Sequence, residues 1–122
     1  IERQVISSIP DDFDGSNSTA DIKTPHHGRH LYCSTRGHDS IAIYTIGGDG
    51  CLSLVDIRSS LGSTAQNLAI TPDGSTLLCA NMGSEGEGEE NLALFRIDGD
   101  TGKLEALGAP LLLPGPSCIQ II

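Results

Sequence analysis

Apolar and β-branched residues cluster in short stretches of the chain, and turn residues separate these stretches. Residues 31–35, 41–46 and 52–58 are short runs rich in apolar, aromatic and β-branched residues, as is typical of β-strands. The 15 glycines and six prolines fall largely between such stretches, as expected for tight turns. No segment keeps an apolar period of 3.6 residues over the length of an ordinary helix. The pattern therefore predicts an all-β protein.

An internal repeat with a period of about 46 to 52 residues organises these strands. The segment TPHHGRHLYC, which starts at Thr24, matches TPDGSTLLC, which starts at Thr71. Further along, SIAIYTI from Ser40 matches NLALFRI from Asn91. A Thr-Pro-Asp-Gly turn suits a hairpin because proline presets φ and glycine accepts positive φ. A unit of this length with four short strands is typical of one blade of a β-propeller.

The repeat predicts that residues 1–122 are the C-terminal part of a single β-propeller domain. Two complete four-stranded blades are expected at about 19–60 and 65–110. Residues 1–9 resemble an outer strand of the preceding blade, and residues 116–122 resemble the inner strand of the closing blade. Because repeat architectures usually need about three units for stability, we expect further blades or a companion chain to complete the ring.

Charge and cysteine content narrow the function classes. The net charge of −9, with seven lysines and arginines in all, argues against binding of nucleic acid, which needs clustered basic residues. No apolar stretch approaches the roughly 20 residues of a membrane helix, so no membrane partner is expected. The four cysteines show no C-x-x-C spacing and are expected to be reduced, largely buried thiols, which favours a cytoplasmic location.

Four segments together resemble a known family: TADIKTPHHGRHLYCSTRGHDSIAIY, NLAITPDGSTLLCAN, LFRIDGDTGKLEALG and the closing PGPSCIQII. They are similar to the C-terminal part of the bacterial and fungal lactonases that include 6-phosphogluconolactonase and the carboxymuconate cyclases. The resemblance implies a seven-bladed propeller that hydrolyses a sugar lactone of carbohydrate metabolism, 6-phosphogluconolactone in the first place, without a cofactor. Ala65 and Gln66 depart from the family's usual Pro-Arg before Asn67, which weakens the expectation of a phosphate site.

Two alternatives to lactone hydrolysis remain open. The chain would also suit a cycloisomerase that opens or closes a muconate-type lactone by proton transfer. It would equally suit a non-catalytic propeller that serves as a binding platform, which the acidic, glycine-rich run at 84–90 would fit. On its own the chain is expected to be inactive, because the resemblance implies further catalytic residues on earlier blades.

The alternation of connections in a four-stranded meander places loops on two rims. Residues 34–40, 59–66, 80–91 and 114–116 are expected on one rim, and the turns around 26–27, 48 and 99 on the other. The acidic run falls on the first rim, where it would repel an anionic substrate. His26, His27 and His30 invite a metal site, but they lie in a hairpin with no carboxylate placed beside them, and we predict no metal.

Arg36 and His38 are the predicted catalytic residues on this rim. The planar fork of Arg36 would also bind the carboxylate or phosphate of the substrate, and His38 would transfer a proton. Asn67 and Asn81 are predicted to bind substrate through their amides. The alternative for Arg36 is an ion pair with Asp39 that orders the loop, while His38 would be a solvated surface residue and the two asparagines would cap their own turns.

Overall fold

The computed structural model describes residues 1–26, 28–83 and 90–122, and its regular structure there is entirely β. The nine strands are β1 Ser18–Lys23, β2 His30–Arg36, β3 Ser40–Ile46, β4 Leu52–Ser59, β5 Ala65–Ile70, β6 Thr76–Asn81, β7 Asn91–Ile97, β8 Leu104–Ala106 and β9 Leu111–Leu112. Strands β1 to β4 form one antiparallel meander and β5 to β8 a second. The all-β prediction and the two four-stranded blades are confirmed.

The outer strand of the second blade is interrupted. Both β8 and β9 pair with β7, β8 at residues 95–97 and β9 at residues 91–92. Between them the backbone N–H of Leu107 still donates to the carbonyl of Leu94 at 2.8 Å, and Gly108 turns the chain with a φ of 71°. The blade therefore extends to Leu112, slightly beyond the predicted end near residue 110.

The main hydrophobic core lies between the two blades. Strand alternation directs Tyr32 toward this core and Cys33 to the opposite face of the first blade. The core residues with no exposed surface are Tyr32, Ile41, Ile43, Ala65, Leu68, Leu77, Cys79, Ala93 and Phe95. The Tyr32 hydroxyl donates to the carbonyl of Gly102 at 2.7 Å, which ties the first blade to the last hairpin of the second. Burial, with the charge of Asp98, raises the pKa of Tyr32 to about 12, so the hydroxyl stays a neutral donor.

The segment before β1 covers part of the other face of the first blade, where Ile6 packs against a smaller core cluster. The Gln4 side chain donates to the carbonyl of Leu52 at 2.8 Å and accepts its N–H at 2.7 Å, and the Tyr44 hydroxyl donates to the carbonyl of Ser7. The Gln4 amide thus binds both backbone polar groups of Leu52, as a neighbouring strand would. Residues 1–9 form no strand in this structure, so their assignment to a preceding blade stays a prediction.

The two inner strands carry a β-bulge at the same place in the repeat, between Thr19 and Asp21 in β1 and between Ala65 and Asn67 in β5. Asp21 Oδ2 accepts the backbone N–H of Leu68 at 2.9 Å. In the same way Asn67 Oδ1 accepts the N–H of Ile119 at 2.8 Å. Residues 116–122 form no strand, but this shared contact supports the prediction that they begin another blade.

All four cysteines are free, although they differ in exposure. Cys33 and Cys79 are buried, and burial raises the pKa of the Cys79 thiol to about 12. Cys51 is half-buried, and the expectation of burial is wrong for Cys118, which is exposed. Among the described residues, no helix has the length and apolar character needed to cross a membrane.

Candidate functional site

The predicted rim is formed by the β2–β3 turn, the link from β4 to β5, and the adjoining ends of β6 and β7. Asp39 in the turn connects to the link twice: its carboxylate accepts the N–H of Thr64 at 2.9 Å, and its carbonyl accepts the N–H of Ser60 at 3.0 Å. The link then reaches the end of β6, since the N–H of Met82 donates to the carbonyl of Thr64. Turns at 25–30 and 72–74 line a cleft at the opposite rim, as the alternation of connections predicts.

Arg36 ends β2 at this rim with a guanidinium that no carboxylate of the described residues neutralises. Its Nη1 donates to Gln66 Oε1 at 3.3 Å, and its Nε is buried without a hydrogen-bond partner. Asp39 instead accepts the backbone N–H groups of Thr64 and Gly37 through its Oδ1. Within the described part of the chain, Arg36 therefore forms no ion pair. The alternative in which Arg36 pairs with Asp39 is wrong.

His38 is half-buried and held from three sides, not solvated like an ordinary surface residue. Its Nδ1 lies 2.8 Å from Ser40 Oγ, and its backbone N–H donates to Asn17 Oδ1 at 3.0 Å. The ring of Phe13 meets the imidazole edge to face, with the ring centroids 4.8 Å apart at 76°. The other ring nitrogen, Nε2, has no hydrogen-bond partner in the described part of the chain, and it is not among the buried atoms that lack one. Nε2 is thus the atom through which His38 would act.

Phe13 and Asn17 belong to the segment before β1 and were not predicted as site residues. They dock against the β2–β3 turn because Gly37 lets the chain approach closely: a Cβ at this position would lie 2.0 Å from the carbonyl oxygen of Ser16, and its φ is 114°. One signal in the sequence was available, since Phe13 is one of two phenylalanines and stands alone in an acidic, polar stretch. Nothing in the sequence links that stretch to His38.

Asn81 lies under the rim and not on it. Its side chain is fully buried, and its Nδ2 donates to the carbonyl of Ser60 at 2.8 Å and to Asn91 Oδ1 at 2.9 Å. Its Oδ1 accepts the Cys79 thiol at 3.7 Å. Every polar atom of the amide is used within the protein, so it holds the link between the blades in place. In this structure Asn81 therefore has no exposed atom that could bind substrate, although the sequence predicts that role.

Asn67 is half-buried, and both ends of its amide are also engaged by the protein. Its Nδ2 donates to Asp21 Oδ2 at 2.9 Å, while its Oδ1 accepts the N–H of Ile119. It caps no turn of its own; it joins the inner strands of successive repeat units. Burial by itself would raise the pKa of Asp21, but hydrogen bonds from Lys23 and Leu68 and the charge of Lys23 outweigh it and lower that pKa. Substrate binding by Asn67 stays a prediction.

Parts of the predicted rim and of the histidine cluster lie outside the described residues, namely His27 and residues 84–89. Glu90, at the end of the acidic run, accepts the N–H of Gly115 at 3.2 Å. His30 lies in the cleft at the opposite rim, where burial and the nearby charge of Arg29 lower its pKa. In ranges 1–26, 28–83 and 90–122, no three His, Cys, Asp or Glu side chains come together as metal ligands would.

Comparison with known proteins gives a consistent result. A family described as "Lactonase, 7-bladed beta-propeller" matches residues 1–121. The 6-phosphogluconolactonase of Bacillus subtilis (strain 168) is 34% identical over 122 residues, which cover 99% of this chain and 34% of that protein. The 6-phosphogluconolactonase of Formosa agariphila is 38% identical over 109 residues, which cover 87% of this chain and 30% of that protein.

Among solved structures, the Pseudomonas aeruginosa periplasmic gluconolactonase superposes with a TM-score of 0.81. It is 24% identical, and the match covers 92% of this chain and 30% of that one, so it shows a shared fold. The chain spans about a third of the length of the curated relatives it matches.

Proposed function

Because the chain belongs to the lactonase family of seven-bladed β-propellers, we propose that the whole protein hydrolyses a sugar lactone, with 6-phosphogluconolactone as substrate. Both named relatives reported above carry that activity in their names. In the reaction a water oxygen bonds to the lactone carbonyl carbon, and the bond from that carbon to the ring oxygen then breaks. The products are the free acid and a hydroxyl at the former ring position.

The guanidinium of Arg36, which forms no ion pair with any described residue, is the observation that carries this proposal. A half-buried arginine without a carboxylate keeps its positive charge available for an anionic ligand. Its Nη1 contacts the neutral oxygen of Gln66, and its Nη2 has no partner in the described residues and is not a buried orphan. Arg36 would hold the substrate phosphate through these outer nitrogens, while Gln66 orients the guanidinium without neutralising it.

His38 would act as the general base toward the attacking water. Its Nε2 faces away from Ser40, and a neutral imidazole nitrogen can take the water proton as the oxygen attacks the carbonyl. The same nitrogen can then return that proton to the leaving ring oxygen. Phe13 packs against the imidazole and Asn17 accepts the backbone N–H of His38, so the two residues hold His38 beside the end of β2, two residues from Arg36.

The two alternatives receive no support from the comparisons, in which the matched family and both named relatives are lactonases. A cytoplasmic location remains a prediction from the free cysteines. Gln66 stands where the family usually has an arginine. Arg36, whose Nη1 contacts Gln66 Oε1, would supply a basic group at the same place.

The test is lactone hydrolysis by the whole protein, followed as acid release from 6-phosphogluconolactone and from unphosphorylated gluconolactone. Loss of hydrogen bonds to a charged ligand costs about 1.5–3 kcal/mol, so Arg36→Ala is expected to lower kcat/KM about 10- to 150-fold on the phosphorylated substrate. Arg36→Lys keeps the charge but not the fork and should recover part of that loss.

Arg96→Ala is the matched control, because Arg96 is an exposed arginine on the outer half of the second blade whose ion pair is with Glu105. It should leave kcat/KM unchanged on both lactones. Equal activity of Arg36→Ala and Arg96→Ala would contradict the assignment of Arg36, and absence of hydrolysis by the unaltered protein would contradict the proposed function itself.

A further inference from the structure

Two buried hydroxyl groups lie directly beneath the imidazole of His38. Ser40 Oγ is 2.8 Å from His38 Nδ1, and Thr35 Oγ1 is 3.1 Å from Ser40 Oγ. Thr35 Oγ1 is in turn 3.4 Å from the carbonyl oxygen of Ser40. Thr35 has no exposed surface and Ser40 has 1%, so water does not replace these contacts. The three side chains form a hydrogen-bond series that runs from the rim into the β2–β3 hairpin.

The register of β2 and β3 brings these hydrogen-bonding groups together. Thr35 and Ser40 are direct cross-strand partners at the end of the β2–β3 hairpin, so their side chains lie on the same face of the sheet. The intervening turn places His38 over that pair. Spacing along the sequence alone would not distinguish this arrangement from three unrelated polar residues.

Counting the available protons gives the direction of each hydrogen bond in the series from His38 through Ser40 to Thr35. If His38 carries its proton on Nδ1, it donates to Ser40 Oγ, Ser40 donates to Thr35 Oγ1, and Thr35 donates to the Ser40 carbonyl. All three contacts are then hydrogen bonds. If Nδ1 is instead the acceptor, Ser40 must donate to it. The single Thr35 proton then serves only one of the two remaining contacts. Buried polar groups favour the arrangement that satisfies more of them.

We propose that Ser40, supported by Thr35, is a positioning residue that holds neutral His38 in the tautomer protonated on Nδ1. The lone pair is then on Nε2, the nitrogen that is accessible at the rim. The partner of one imidazole nitrogen decides which nitrogen carries the proton, and so which one can serve as a base. The catalytic meaning of this arrangement rests on the proposed function, whereas the tautomer itself does not.

The tautomer can be measured directly in the whole protein. Protein labelled with ¹⁵N at histidine is examined by NMR at a pH above the imidazole pKa, and the His38 signals are assigned by their loss in His38→Gln. The nitrogen chemical shifts report which ring nitrogen is protonated. We expect the proton of His38 on Nδ1 in the unaltered protein and a shift of population toward Nε2–H in Ser40→Ala. Thr35→Val should shift the population in the same direction and provides a second variant.

Ser34→Ala is the matched control. Ser34 is also fully buried, lies beside Thr35 on β2 and has an Oγ without a hydrogen-bond partner among the described residues, so Ser34→Ala removes a hydroxyl that takes no part in the hydrogen-bond series. It should leave the tautomer unchanged. In lactone hydrolysis, Ser40→Ala is expected to lower kcat about 10-fold or more with little change in KM, a part of what a general base contributes, whereas Ser34→Ala keeps the full rate.

The two proposals fail separately. A His38 protonated mainly on Nε2 in the unaltered protein, or a Ser40→Ala spectrum identical to that of Ser34→Ala, would overturn the role of Ser40 even if the protein hydrolyses lactones. The expected tautomer and its shift in Ser40→Ala would support the positioning role even if no lactone is hydrolysed, and only the proposed function would then be rejected.

Discussion

Asp21 joins the inner strands of the two blades, and its replacement by alanine is expected to weaken the association between them. Its Oδ2 accepts hydrogen bonds from the backbone N–H of Leu68 and from Asn67 Nδ2, both at 2.9 Å. Lys23 Nζ lies 2.8 Å from the same carboxylate. No other side chain of β1 makes a hydrogen bond to the second blade in the described part of the chain.

The magnitude follows from what each partner loses in Asp21→Ala. Leu68 is fully buried, so its N–H is left unsatisfied at a cost of about 1–3 kcal/mol. Asn67 is half-buried and its amide can reach water, so this bond contributes about 0.5–1.5 kcal/mol. Lys23 is 41% exposed, and its ion pair contributes at most about 1 kcal/mol after solvent screening. We expect a decrease of about 2–4 kcal/mol in the free energy of unfolding.

The pH dependence of this effect has a definite sign. The pKa of Asp21 in the folded protein is lowered from its ordinary value of 3.8, because the hydrogen bonds and the charge of Lys23 outweigh burial. A carboxylate with a lowered pKa stabilises the folded state fully above its unfolded pKa and loses that contribution as pH falls through the folded pKa. The difference between the unaltered protein and Asp21→Asn should therefore be constant near neutral pH and shrink below about pH 4.

Urea unfolding of the whole protein, followed by circular dichroism, measures both effects. Glu105→Ala is the control, since it removes an exposed carboxylate whose ion pair with Arg96 is worth about 1 kcal/mol or less. A decrease for Asp21→Ala no larger than that for Glu105→Ala would refute the reasoning. So would a difference between Asp21→Asn and the unaltered protein that does not change between neutral pH and pH 3.

Two further predictions concern the contacts that hold the rim and the core. Gly37→Ala should lower the melting temperature by an amount corresponding to more than about 1 kcal/mol, because its Cβ would meet the Ser16 carbonyl at 2.0 Å with φ at 114°; Gly48→Ala, where the surroundings are open, should melt like the unaltered protein. Tyr32→Phe should cost about 0.5–1.5 kcal/mol in urea unfolding, because it removes the 2.7 Å bond to the Gly102 carbonyl. Unchanged stability would mean that water satisfies this carbonyl.

Local features of the fold could be predicted because they depend on short-range geometry. Short apolar and β-branched runs at residues 31–35 and 41–46, each followed by turn residues, identify strands, since such side chains favour the pleated and packed surface of a sheet. The repeat then identifies the blades, and the strict alternation of connections in a meander places Arg36 and His38 at one rim. The interrupted outer strand of the second blade was not predicted, because Gly108 and the short β9 carry too few residues for a periodic pattern.

The sequence by itself determined the fold class, the two repeat units, the rim and the identity of its basic residues, since each follows from periodicity or from the type of residue at the end of a strand. Only the tertiary structure decided what those residues do. It left Arg36 without a carboxylate partner in the described part of the chain, buried Asn81, and set Phe13 and Asn17 against His38. Those outcomes depend on partners more than 20 residues away in the sequence, and packing between segments, not local pattern, selects such partners.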